Sequence, residues 1–271
     1  METWRFLPYE EHEPAVNMAV DEAIMQAHRE GKVPPTLRFY GWNPPALSIG
    51  YFQRVEREVD REALKRRGLG FVRRMTGGRA VLHDRELTYS VVVWENHPLI
   101  PSSVSESYRV ISQGLLEGYR LLGIHAEMAP PKQGAADVAS AACFDSPSDY
   151  ELVIAGKKAA GSAQIRQRGV LMQHGSILID LDADLLFDVL RFPSERVKER
   201  MKSSFLEKAV AINRVRDKPA TLDEVTEAFR KGFARGLGVQ LVPGELTEDE
   251  RRMAEELART RYGSEEWNAR R

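Results

Sequence analysis

The chain has 271 residues, 42% hydrophobic and 29% charged, enough apolar material to close one large core or two modest ones without metal or disulfide support. Its 39 Lys and Arg against 40 Asp and Glu leave a formal charge of -1, so no global field draws it to nucleic acid or to an anionic membrane. A single cysteine excludes an internal disulfide, no apolar run approaches the ~20 residues of a membrane span, and METWRFLPYEEHE lacks the basic and apolar regions of a signal peptide; a cytoplasmic protein is expected.

From Pro14 to Glu30, Ala15, Ala19, Ala23 and Ala27 share one face with Met18, Ile24 and Met25 beside it, which predicts an amphipathic helix stopped by Gly31. Thr36 to Trp42 and Ala46 to Phe52 read as two strands separated by Asn43-Pro44-Pro45. Asp60 caps a short helix to Arg67, and Gly68 and Gly70 precede a strand at Phe71-Val72-Arg73.

The next stretch, RRMTGGRAVLHD from Arg73 to Asp84, joins two glycines to three forked cations, Arg73, Arg74 and Arg79. Paired glycines let a backbone approach a ligand, and guanidinium groups match carboxylate or phosphate. The same residues also fit a β-hairpin turn with solvated arginines.

Leu87 to Trp94 is rich in β-formers. Ser103-x-x-Glu106 is a capping box, followed at helical spacing by Tyr108, Ile111, Leu115, Tyr119 and Leu122. Pro130 to Ala142 is small and unpatterned and reads as a loop leading into Cys143. Tyr150 to Ala155 and Lys158 to Gln164 read as strands joined across Gly156-Lys157, and Gly169 to Leu181 as a longer one. The chain is charged and helical from Ser194, and Thr221-x-x-Glu224 and Thr247-x-x-Glu250 open two more helices. Such interleaving implies an α/β (α+β) fold, a mixed β-sheet flanked by helices. The expected organisation is a catalytic domain over 1–220 and a small helical cap over 221–271 packed on it.

Cys143 carries the chemistry in this reading. A lone cysteine is commonly a small buried hydrophobe, but Phe144-Asp145-Ser146-Pro147 is turn-forming and sets this thiol at a loop edge. A nucleophilic thiol needs a nearby cation or base to lower its pKa from ~8.5. Lys157, Lys158, His83 and His174 are the candidates. Adjacent lysines on a strand leave on opposite faces, and Lys158 shares its face with Ala160, Ser162 and Gln164, which favours Lys158. His83 and His174 fit general bases or structural hydrogen-bonding residues. No C-x-x-C or H-x-x-x-H spacing supports a metal site, and neither a phosphate-binding G-x-x-x-x-G-K-[ST] loop nor a G-x-S-x-G elbow occurs.

Three segments together, RRMTGGRAVLHD from Arg73, ACFDSPSDYELVIAGKKAAGSAQ through Cys143 and GVLMQHGSILIDLD from Gly169, resemble the biotin/lipoate protein ligase superfamily, and within it the LipM-type octanoyltransferases of Gram-positive bacteria. The resemblance extends from ETWRF at Glu2 through RFYGWNPPALSIGYFQ at Arg38 to YGSEEWN at Tyr262. It implies a pocket for a medium-length acyl chain and transfer of octanoyl from acyl carrier protein to a lysine of a lipoyl domain, such as the glycine-cleavage H protein. It also implies that Cys143 accepts the acyl group and Lys158 lowers its pKa. Neither ATP nor metal is expected, because the incoming thioester is already activated.

Within that frame Gly77, Gly78, Gly161, Ser162 and Ala163 are expected to line the pocket and offer amides to an oxyanion. Arg73, Arg74 and Arg79 are expected to meet the acidic carrier or its phosphopantetheine, and Thr76, His83 and His174 to contact substrate. Met75 departs from the family, where many relatives carry proline, a change in loop stiffness rather than in chemistry. An ATP-dependent lipoate ligase, an amidotransferase between lipoyl domains, and a non-catalytic acyl-binding or lipoyl-domain-binding module are the competing readings.

Overall fold

The computed structural model describes residues 1–129 and 151–270, and the segment holding Cys143 lies outside them. The framework is a six-stranded mixed sheet built from β1 (Glu2–His12), β2 (Thr36–Trp42), β6 (Glu86–Trp94), β10 (Ala160–Gln167), β11 (Val170–Leu178) and β12 (Val239–Pro243). Their spatial order is β10-β11-β6-β2-β1-β12. β1 runs parallel to both β2 and β12, and the other neighbours are antiparallel.

Strand alternation sorts the side chains into two layers. Leu37 and Phe39 of β2 and Leu87, Tyr89, Val91 and Val93 of β6 point to one face, where α4 (Val104–Leu121) and α7 (Leu222–Leu237) bury Ile111, Leu115, Tyr119, Phe229 and Phe233. The opposite face is covered by α1 (Pro14–Arg29) and α8 (Glu248–Leu257), with Met18, Ala19, Ala23, Tyr40, Val92 and Met172 in its core. That second face also carries polar groups in cross-strand rows. Arg38 stands beside Ser90, Ser90 beside His174 and His174 beside Ala163; Tyr40, Thr88, Ser176 and Gly161 form the next row.

A second sheet, in the order β4-β3-β5, is made of β3 (Ala46–Ile49), β4 (Gly70–Arg73) and β5 (Val81–His83). Because β3 lies between β4 and β5, Arg74 to Ala80 is a crossing loop over the end of β3 and not the turn of a hairpin. The solvated-arginine alternative fails with it, since Arg73 is fully buried and Arg74 is 5% exposed. A third, small sheet joins β7 (Glu127–Ala129), β8 (Glu151–Ile154) and β9 (Lys157–Lys158).

The N-caps are where the sequence places them: Asp60, Ser103, Thr221 and Thr247 each accept from a backbone amide three residues on. Only Thr247 forms the reciprocal box, through Thr247 N to Glu250 Oε2 at 2.7 Å. At the other two, arginines compete for the acid: Arg109 pairs with Glu106 and Arg216 with Glu224. The segment after Thr221 is not wholly helical, because β12 leaves α7 to pair with β1. Gly238 at φ 66° makes that reversal at the end of α7.

Candidate acyl-binding site

Between the polar face of the main sheet and the second sheet lies a small cavity, about 380 Å³ when the open solvent at its mouth is included. β2 contributes Tyr40 and Trp42, β11 contributes His174, Gly175 and Ser176, and β10 contributes Gly161, Ser162 and Ala163. Arg74, Gly78, Val81 and His83 close it from the crossing loop and β5. The surface presented to the cavity is overwhelmingly apolar, which suits a hydrocarbon chain.

The polar groups behind this lining are bonded to one another. Asp21, 1% exposed, accepts from Arg38 at 2.8 Å, Tyr40 at 2.9 Å and Ser90 at 2.9 Å. Burial alone would raise its carboxyl, but the Arg38 charge and the neighbouring donors outweigh that, and the pKa is lowered. His174 stands between Asp21, 3.7 Å from its Nδ1, and the Thr76 hydroxyl, 2.7 Å from its Nε2.

A second chain runs behind the other wall. Arg74 donates to Ser48 Oγ at 2.6 Å, Ser48 meets His83 Nε2 at 2.7 Å, and His83 Nδ1 faces Glu86 Oε1 at 3.2 Å. Because the Glu86 carboxylate only accepts, the His83 proton sits on Nδ1, toward Glu86, and Nε2 accepts from the Ser48 hydroxyl. The His83 ring stacks on Trp42 at 4.0 Å, and the Trp42 indole donates to Thr88. Burial lowers the pKa of both His83 and His174, so both imidazoles are neutral at pH 7.

Gly77 and Gly78 hold the crossing loop close to β3. A Cβ on Gly50 would lie 2.1 Å from Gly78 O, and Gly78 itself has φ 94°. Arg74 fastens the loop from within, donating to the carbonyls of Gly77 and Arg79.

The structure therefore brings Gly78, His83, Gly161, Ser162, Ala163 and His174 into one lining and sets Thr76 and Gly77 immediately behind it. The Ser162 hydroxyl turns to the other face of the sheet, where it meets Tyr89 Oη at 2.8 Å, so only its backbone faces the cavity side.

Two arginines fall elsewhere. The Arg73 guanidinium donates to the carbonyls of Gly50, Tyr51 and Gln53 on one side and of Trp267, Asn268 and Arg270 on the other. It fastens the Gly50 to Gln53 segment after β3 to α9 (Glu265–Asn268) and lies outside the cavity lining. Arg79, with 34% of its side chain exposed, points away from the cavity toward Glu58, 3.9 Å away.

Lys158 also needs correction on its route into place. It does not continue into the strand of Ala160, Ser162 and Gln164: the strand breaks at Ala159, and Lys158 pairs with Val153 in the small sheet. Its side chain is buried and reaches Glu151 Oε1 at 2.9 Å, outside the lining just described. Asp21, Arg38, Ser48 and Glu86 escaped the sequence reading. For Asp21 a signal existed, since it lies three residues after Met18 and four before Met25, on the buried stripe of α1. Among the described residues no cluster of three or more His, Cys, Asp or Glu is placed to hold a metal ion, and no helix is long and apolar enough to cross a membrane.

Comparison with known proteins places this geometry. Residues 13–234 match the family model of the lipoyl protein ligase A/B catalytic domain. The chain is 61% identical to an octanoyltransferase LipM of Brevibacillus brevis over the full length of both. It is 54% identical to that of Bacillus subtilis, with 100% of this chain and 99% of the relative covered. Among solved structures it resembles one part of an archaeal bipartite lipoate protein ligase from Thermoplasma acidophilum, with a TM-score of 0.83 and 29% identity over 100% of this chain and 98% of the other. A lipoate-protein ligase A bound with ATP follows at a TM-score of 0.80 and 29% identity, with 99% of each chain covered.

Proposed function

The chain belongs to the lipoyl protein ligase A/B catalytic family, and from that premise we propose that its cavity holds an octanoyl chain delivered as a thioester and passed on through Cys143. The activity is that of an octanoyltransferase in protein lipoylation, as full-length relatives at 52–61% identity are named. Its substrates are an acyl carrier and a lipoyl domain, the glycine-cleavage H protein being the acceptor we propose. The observation that carries the acyl assignment is the predominantly apolar lining beneath Gly161 to Ala163, where Arg74 is turned onto Ser48 and the Gly77 and Arg79 carbonyls and both histidines are neutral.

In the proposed mechanism the Cys143 thiolate attacks the thioester carbonyl, the carrier's thiolate leaves, and octanoyl is held as an enzyme thioester. The acceptor's ε-amine, unprotonated, attacks that carbonyl; the amide forms, Cys143 leaves as thiolate, and the amine's surplus proton passes to a base. Backbone amides along Gly77 to Gly78 and Gly161 to Ala163 would receive the negative charge that builds on the carbonyl oxygen. The Lys158 ammonium would favour the thiolate. His83, neutral and bonded at both ring nitrogens, and His174, neutral and bonded to Thr76 through Nε2 with Asp21 facing its Nδ1, hold the wall in shape. Each step exchanges one acyl bond for another, so neither ATP nor metal is needed.

The test is intact mass spectrometry after incubation with octanoyl-carrier, without ATP and without acceptor. One octanoyl mass on Cys143 is expected; a requirement for ATP would return the ligase reading.

A further inference from the structure

Phe52 is 66% exposed; among the described large apolar side chains in the exposed class it is the one aromatic. Its position follows from the crossing loop. Gly50 abuts the Gly78 carbonyl, and Tyr51 N donates to Thr76 O at 2.8 Å, so Phe52 is carried on the outer side of the loop that walls the cavity. The ring stands edge-on to Tyr51 at 5.0 Å, and the Arg270 guanidinium lies 5.0 Å from the Tyr51 ring.

Cations dominate the surroundings. Arg54 and Arg57 are exposed and line a shallow depression with Phe52 and Glu56. Glu58 is turned inward, accepting from Gln53 Nε2 at 2.7 Å and from the Arg54 amide at 2.8 Å, with Arg79 beyond it at 3.9 Å. Glu56 is thus the acid that offsets this rim. A solvent-exposed aromatic flanked by two arginines is the composition of an interface anchor.

We propose that the Phe52, Arg54 and Arg57 surface docks the acidic acyl-carrier protein that brings the octanoyl thioester, an assignment that rests on the octanoyl-transfer reading. Two arguments select the carrier. Its acidic surface complements the arginines, and such pairing steers encounter. The patch is also outside the cavity lining, which fits a donor whose thioester rides on a long flexible phosphopantetheine arm. An acceptor lysine, on a short side chain, must bring its own domain to the opening.

The experiment compares Phe52→Ala and the double variant Arg54→Glu/Arg57→Glu with the unaltered protein. Donors are octanoyl-carrier and the carrier-free thioester octanoyl-coenzyme A, and thermal melts confirm the fold. KM for octanoyl-carrier is expected to rise about tenfold in each variant, with a weaker salt dependence in the double. kcat, turnover of the carrier-free donor and KM for the lipoyl domain should stay as they were. An unchanged KM for octanoyl-carrier, an equal loss with both donors, or a loss confined to the lipoyl domain overturns the proposal. An unaltered protein that takes octanoyl from neither donor overturns instead the activity on which it stands.

Discussion

Lys158 Nζ lies 2.9 Å from Glu151 Oε1, with only 7% and 13% of the two side chains exposed. A buried ammonium survives where a carboxylate compensates it, and removing one partner of such a pair costs about 3 kcal/mol or more. Glu151→Gln is therefore expected to destabilise the protein by about 3 kcal/mol in chemical denaturation. By releasing the lysine from its charge partner it should also change the pH dependence of Cys143 alkylation. If stability and alkylation both stay at their original values, the pair neither holds the lysine nor matters to the thiol.

Cys143 itself is tested by substitution. A serine hydroxyl lacks the acidity to act as the thiolate does. Cys143→Ser should abolish octanoyl transfer and leave no acyl adduct in the intact mass, while the melting temperature stays unchanged. Substantial turnover by the serine variant sinks the nucleophile assignment.

The close approach at Gly50 gives a third test. An added methyl would stand 2.1 Å from the Gly78 carbonyl oxygen, a backbone atom that cannot rotate away. Gly50→Ala should cost roughly 1–3 kcal/mol in stability and displace the Gly77-Gly78 wall, slowing acyl-enzyme formation by about tenfold, the equivalent of ~1.4 kcal/mol. An alanine variant with undiminished acylation would show that this wall does not position the acyl group.

The buried histidines set a pH window. His83 and His174 have pKa values lowered from 6.5 by burial, so the unfolded chain binds protons that the folded chain refuses. Their contribution to stability is complete above pH 6.5 and is lost as pH falls toward their folded pKa values. Each proton taken up on unfolding steepens that loss by about 1.4 kcal/mol per pH unit. Asp21, lowered from 3.8, acts only at lower pH and stays out of this window. Denaturation between pH 7 and 5 should show falling stability, and His174→Gln should flatten the slope. An equal slope in the variant would mean that His174 takes up its proton without unfolding.

Much of the fold was readable because it is local. Caps at Asp60, Ser103, Thr221 and Thr247 depend on residues three apart, and the strand β6 announces itself by its run of valines. The strand β1 is not legible in the sequence, because Pro8 and three acids within Glu2–His12 contradict strand composition while distant partners on both sides supply its hydrogen bonds. In the candidate site, the glycine-rich wall was legible as glycine-rich sequence. The fate of Arg73 was not, since the carbonyls it binds come from 20 and 197 residues away. The break at Ala159 escaped for a related reason: β8 and β11 compete for one run of small residues, and only the assembled sheets divide it.

The pairing of β1 with β12 joins residues such as Glu2 and Val239, so the strand next to the sheet's edge waits for a neighbour made more than two hundred residues later. Until then the Glu2 to Phe6 edge of β1 offers its amides and carbonyls to any extended segment that comes past. During vectorial synthesis this edge is open to pairing with another nascent chain. Truncation before Val239 would make that exposure permanent, leaving a chain inclined to self-associate rather than a smaller version of the same protein.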